Sequence, residues 1–144
     1  MPFIDGRYVL EFLNRAGRDA VAMPLADAAV YEARFPGAAD HATVIAHERV
    51  ANASVFFIPR GGAPLIDDVA QRLFTARKSL PRMALLLGPA LLVKFALKRL
   101  TIGDVERRAA QLLGLPVRAV RDCAPELCFD VDTFEDYRYA SARS

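Results

Sequence analysis

The sequence predicts an α/β fold, a mixed sheet flanked by helices, and three observations carry that prediction. Strand-like runs rich in β-branched and apolar residues interleave with helix-like runs, the pattern that lays helices against a sheet. The helix-like runs begin at capping residues and end at glycines, where helices start and stop. At 144 residues, 53% of them hydrophobic, the chain has enough length and apolar surface to bury a core as one domain, residues 1–144.

The elements follow in order. Asp5 to Gly17 reads as a helix, with Tyr8, Val9, Phe12 and Leu13 as its apolar stripe and Gly17 as its stop. Asp19 to Leu25 is a short buried strand ended by Pro24, and Ala26 to Phe35 an Ala-rich helix closed by Pro36-Gly37. Thr43–Ala46 and Ser54–Ile58 are strand candidates, the second marked by its β-branched and aromatic content. Leu65 to Arg77 places Leu65, Val69, Leu73 and Phe74 at helical spacing. Met83 to Leu97 is apolar almost all round and broken by Gly88-Pro89, which predicts a buried pair of short helices, with a surface-lying helix as the other reading. A box of Thr101 and Asp104 opens a helix that Gly114 stops, and Val117–Arg121 alternates as a strand.

The last stretch, Leu127 to Ala140, reads as a strand that stops at carboxylates and turns into a helix. Leu127, Phe129 and Val131 would share one face, Cys128, Asp130 and Asp132 the other, with Thr133 and Asp136 forming a second capping box. Ligands of open α/β sheets bind beyond the carboxyl ends of the strands. Asp130 and Asp132 are therefore expected as two acids at the edge of a site.

Composition excludes several classes. A net charge of +2 and a pI near 8.7 are too mild to argue for a nucleic-acid partner. Gly88-Pro89 divides the longest apolar run, so no membrane partner is expected. The acidic, aromatic N-terminus is not a secretory signal, and two cysteines, Cys123 and Cys128, make neither a disulfide framework nor a zinc site. Two free thiols in a cytoplasmic protein are the expectation. His41 and His47 have no metal or nucleophile spacing.

Several segments together resemble one family. Tyr31-Glu32-Ala33-Arg34-Phe35-Pro36-Gly37, Val55-Phe56-Phe57, Arg77-Lys78-Ser79 and Leu85-Leu86-Leu87-Gly88-Pro89-Ala90-Leu91-Leu92 occur in the order and spacing of MobA-like nucleotidyltransferases. Arg99-Leu100-Thr101, Arg107-Arg108-Ala109, Leu112-Leu113-Gly114 and Asp130-Val131-Asp132-Thr133 continue the match. These are relatives of molybdenum-cofactor guanylyltransferase. The resemblance implies part of a glycosyltransferase-A-like (nucleotide-diphospho-sugar transferase) three-layer fold, and Mg²⁺-dependent transfer of a nucleotidyl group from an NTP to a phosphorylated acceptor. It makes Asp132 a metal ligand, with Asp130 beside it, and places Asn52, Ser54 and Lys78 near acceptor or phosphate.

The same resemblance shows departures. The family's Gly-rich phosphate loop, L-x-A-G-G-x-G-T-R, has no counterpart here, and Met1-Pro2-Phe3-Ile4 looks like the family's D-M-P-F entered at its Met. The chain is therefore expected to correspond to the C-terminal, acceptor-binding half, with the nucleotide-binding half absent. Asn52-Ala53-Ser54 stands where relatives have a G-G-N-like turn, so Ala53 adds a Cβ where backbone could approach a ligand. A half-domain exposes a sheet edge and apolar surface, so the competing expectation is a non-catalytic domain that binds a partner or forms a homodimer.

Overall fold

The computed structural model describes residues 6–39, 42–52 and 55–143. Met1-Pro2-Phe3-Ile4, His41, Ala53 and Ser54 lie outside them. The elements run α1 (Gly6–Ala16), β1 (Val21–Pro24), β2 (Ala26–Asp27), α2 (Ala28–Arg34), β3 (Ala42–Ile45), β4 (Glu48–Ala51), α3 (Ala63–Ala76), α4 (Leu80–Leu87), α5 (Pro89–Ala96), α6 (Ile102–Leu113), β5 (Val117–Val120) and α7 (Phe134–Ser141). The α/β class holds: a parallel pair and an antiparallel sheet are flanked by helices.

The parallel pair joins β1 to β5, Val21 opposite Val117 and Pro24 opposite Val120. Helix α1 covers it, packing Phe12 and Ala16 with Ala22, Val120, Cys123 and Leu127 in one buried cluster. At its end Gly17 takes a φ of +77°, a left-handed conformation that costs other residues. A Cβ there would also sit 2.8 Å from the Arg118 guanidinium, which donates to the Ala16 carbonyl at 2.7 Å and closes the helix. The antiparallel sheet has the order β2-β4-β3.

The predicted strand Ser54–Ile58 does not form. Its described part makes a single antiparallel bridge, Phe57 to Ala22, with N···O distances of 2.9 and 3.0 Å. Prolines explain why. The flanking hydrogen-bonded pairs of that register would be Pro24 with Val55 and Ala20 with Pro59, and proline has no N–H to give a ladder. Val55 and Phe57 instead pack against the α1 cluster.

The predicted strand from Leu127 to Val131 is also corrected. Pro125–Cys128 is a 3₁₀ turn, and the residues after it are unpaired. Glu126, Leu127, Cys128 and Phe129 are buried in succession, which a strand alternating between two faces could not do against one core. Leu127 enters the α1 cluster, whereas Cys128 and Phe129 enter a second one with Ala26, Tyr31, Phe35 and Ala51.

Helices α3 to α6 form the other region. Helix α6 opens on the predicted box, Thr101 Oγ1 accepting from Asp104 N at 3.2 Å and Asp104 Oδ2 accepting from Thr101 N at 3.1 Å. Asp104 is buried and also receives Lys94 Nζ at 2.6 Å and Arg107. The Lys94 ammonium, then Thr101, hold its carboxyl well below the usual carboxylate range. The expected buried helix pair is a correction too: neither α4 nor α5 contributes a buried residue. No described helix is long and apolar enough to cross a membrane.

Candidate functional site

The segment between β5 and α7 is fixed from below by packing. Phe129 lies between Phe35 and Tyr139, with ring centroids 4.9 and 5.9 Å away, separations at which aromatic pairs attract. One residue before the apolar plug, buried Glu126 accepts from Arg34 Nε of α2 at 2.7 Å. Tyr139 of α7 donates its hydroxyl to the Pro36 carbonyl at 3.0 Å. The chain therefore leaves the core at one defined place.

It leaves at Asp130. Asp130, Val131 and Asp132 are all exposed, immediately after buried Phe129. The Asp130 carboxylate accepts from Val131 N at 2.9 Å. Thr133 then begins α7 with its predicted box: Asp136 N donates to Thr133 Oγ1 at 3.2 Å, and Thr133 N to Asp136 Oδ2 at 2.9 Å. Two carboxylates thus stand in solvent on backbone anchored at both ends.

Of the other predicted residues, Asn52 is exposed just after β4 and donates its amide to Thr43 Oγ1 at 2.7 Å. Its neighbour Ala51 shares the second buried cluster with Phe129, so Asn52 and Asp130 emerge from one piece of core. Ser54 lies outside the described residues. Lys78 is exposed in the turn between α3 and α4, in the helical region and outside that cluster.

Tyr31 is a residue that sequence reasoning passed over. Its ring is buried beside Phe35, and its hydroxyl is pushed up to about 12 by burial, then by the negative groups Cys128, Asp136 and Asp130 around it. Only the apolar spacing on α2 hinted at its burial.

The structure also has a groove of about 580 Å³ where Leu25 and Arg121 leave the carboxyl ends of β1 and β5. Asp130 and Asp132 do not line it; Asp27, Glu48 and Asp122 do. Its charges largely satisfy one another. Asp27 caps α2, accepting from Ala29 N at 2.8 Å, and Glu48 pairs with Arg121 across the groove at 3.0 Å. The Arg121 hydrogen bond lowers the Glu48 carboxyl. Asp130 and Asp132 lie apart from this groove because residues 129–132 run unpaired rather than as a strand that ends at it.

Neither cysteine has the exposed, thiolate-favouring surroundings that a nucleophile uses. Both are free and buried; burial raises the Cys123 thiol and pushes Cys128 up to about 11. Among the described residues no group of three or more His, Cys, Asp or Glu side chains could hold a metal ion. Asp130 and Asp132, which the family resemblance singled out, are exposed oxygen donors two residues apart in sequence. Two carboxylates suit Mg²⁺, which typically keeps water and takes substrate phosphate oxygens as its remaining ligands.

Comparison with known proteins gives a fold. No protein-family model and no curated protein matches the chain. Among solved structures, a hypothetical transferase from Thermus thermophilus is similar, with a TM-score of 0.75 and 28% identity over 94% of this chain. The chain spans 58% of that protein's length. The mixed α/β architecture described above is thus one that a protein described as a transferase shares.

Proposed function

We propose that this chain is the acceptor-side part of a nucleotidyltransferase-like transferase. Its reaction would have a phosphate oxygen of a small acceptor displace diphosphate from the α-phosphorus of an NTP. The observation that carries this reading is the likeness of nearly the whole chain to a hypothetical transferase. The Asp-x-Asp-Thr segment held by Phe129, Glu126 and the α7 cap supports it.

Asp132 and Asp130 are the residues that would hold Mg²⁺, which when bound neutralises charge on the transferring phosphates. The chain's own contribution is to keep those two oxygen donors on a rigid exit from the core. Asn52, on the β4 side of the same cluster, and Ser54, two residues later in the sequence, would orient the acceptor, and Lys78 would meet a phosphate as a point charge. The Gly-rich loop that would nest the triphosphate belongs to the half that this chain does not resemble, so the chain alone is expected to bind more readily than to turn over.

Thermal melting with Mg²⁺ and GTP or CTP tests the reading. A ligand that binds only the folded state stabilises it by about 2.7 kcal/mol at a hundred times its Kd. Stabilisation that requires metal and nucleotide together, and that disappears in Asp132→Asn, is the expected result. No shift with either nucleotide, together with a dimer in light scattering, would favour a non-catalytic, partner-binding domain instead.

A further inference from the structure

Helices α4 and α5 are the anomaly of the molecule. They are its most apolar stretch, yet Leu80 is 88%, Leu85 80% and Phe95 69% exposed, and Val93 and Leu97 stand out beside them. Along α5, Pro89, Val93 and Leu97 repeat at four-residue steps, so one face of the helix is apolar and exposed. Charge is equally uneven. Residues 69–103 hold seven of the chain's 19 basic residues and none of its 17 acidic ones; Arg72 and Lys94 pair with Asp68 and Asp104 just outside the stretch, and Arg77, Lys78, Arg82, Lys98 and Arg99 make up the rest.

The hairpin is held against α6 near its turn. Arg108 of α6 donates from Nε to the Leu86 carbonyl at 3.1 Å, and Asp104 receives Lys94. Gly88 joins the two helices at a φ of +87°, a value that favours glycine. Beside α5, Val44, Ile45, Phe95 and Leu100 line a groove of about 580 Å³ with Lys98 at its edge. Phe74, also exposed, carries the Arg77 guanidinium 3.5 Å over its ring.

We propose that the α4–α5 hairpin docks on the surface of an anionic phospholipid bilayer. Each helix has eight residues, about 12 Å of length, which can lie in a headgroup layer but cannot cross a hydrocarbon core. Exposed leucines and phenylalanine with a rim of Lys and Arg are the composition of interfacial helices, and anionic headgroups complement the acid-free charge. A second copy fits worse, because a symmetric dimer through this hairpin would bring its Arg82, Lys98 and Arg99 towards the same residues of the other chain. Nucleic acid would satisfy the charge but offers no place for exposed leucines. The transferase reading is not needed for this proposal, and nucleotide does not enter its test.

The test uses the whole chain, which has no tryptophan, so a single Leu85→Trp reports on the hairpin alone. Its emission is expected to shift to the blue with vesicles containing phosphatidylglycerol and not with phosphatidylcholine vesicles. The same probe on α1, Leu10→Trp, should not respond. In co-sedimentation, binding should fall at least about tenfold in Leu80→Asp/Leu85→Asp, and should fall with added salt. Glycerol phosphate in solution should not compete, which separates a bilayer from a free headgroup. Failure to bind anionic vesicles would overturn the proposal. So would binding that salt abolishes but the leucine changes leave intact, or a dimer in light scattering that those changes dissociate.

Discussion

The region built on β1 and β5 and the region built on α4 and α5 use the same amino acids to opposite ends. In the first, Phe12, Leu127, Cys128 and Phe129 are buried, and even the acid Glu126 is enclosed with its partner Arg34 beside it. In the second, Leu80, Leu85, Val93, Phe95 and Leu97 face solvent on helices attached by Arg108 and by the Lys94–Asp104 pair. Stability resides in the first region; the second is carried by it. Apolar residues alone do not make a core: they need a facing surface of the same chain, and α4 and α5 have only a partial one.

The largest expected effect sharpens that contrast at Leu127. It is 1% exposed in the α1 cluster, and Leu127→Ala should cost about 3–4 kcal/mol, from lost burial and the cavity left behind. Urea unfolding would measure it. A loss below about 1 kcal/mol would mean that the sheet region is not the stabilising one.

Next in size is Arg34→Met, which leaves Glu126 enclosed without this partner. Breaking a buried pair from one side is costly, but Arg34 is 40% exposed on its side chain, so about 2–3 kcal/mol is expected rather than the full penalty. Glu126→Gln in the Arg34→Met background should recover part of the loss, because a neutral amide is cheaper to enclose than a carboxylate. No recovery would show that Arg34 acts by packing.

Tyr31 gives a smaller, pH-dependent effect. Its hydroxyl moves from the usual 10.0 to about 12 on folding, so the folded state keeps a proton that the unfolded state loses. This contribution is full below pH 10 and is lost as pH rises through 12, on the order of 2 kcal/mol in all. Melting curves across that alkaline range should flatten in Tyr31→Phe. An unchanged slope would place the phenol in contact with solvent.

How far the sequence foretold all this depended on what fixed each element. Helices α6 and α7 were legible because Thr101–Asp104 and Thr133–Asp136 encode their own starts, and Gly17 and Gly114 encode stops in local backbone preference. Strand β4 was not: Glu48-Arg49-Val50-Ala51 lacks a β-branched run and is a strand because Val44 and Thr43 of β3 pair with it. Val55-Phe56-Phe57 misled in the other direction, since prolines at positions 24 and 59 remove the hydrogen bonds its propensity called for. At the candidate site, the exposed Asp130 and Asp132 and the α7 cap could be read locally. The groove beside Arg121 and Glu48, and the burial of Tyr31 with Phe129 and Ala51, depend on residues far apart in sequence, which no local pattern announces.

The smallest effect is expected at Leu80, and its smallness is what makes it informative. A leucine with 88% of its surface in water has little burial to lose, so Leu80→Ser should change stability by no more than about 0.5 kcal/mol. Serine also suits the start of α4, where Ser79 is the N-cap and makes no side-chain capping bond. If urea unfolding shows a loss near that of Leu127→Ala, then Leu80 is covered in solution, and the contrast between a stabilising sheet region and a carried hairpin fails. If stability is unchanged, the fold places no demand on the apolar character of that position. Leu80 is then free to serve, with exposed Leu85, Val93, Phe95 and Leu97, the docking role proposed for the hairpin above.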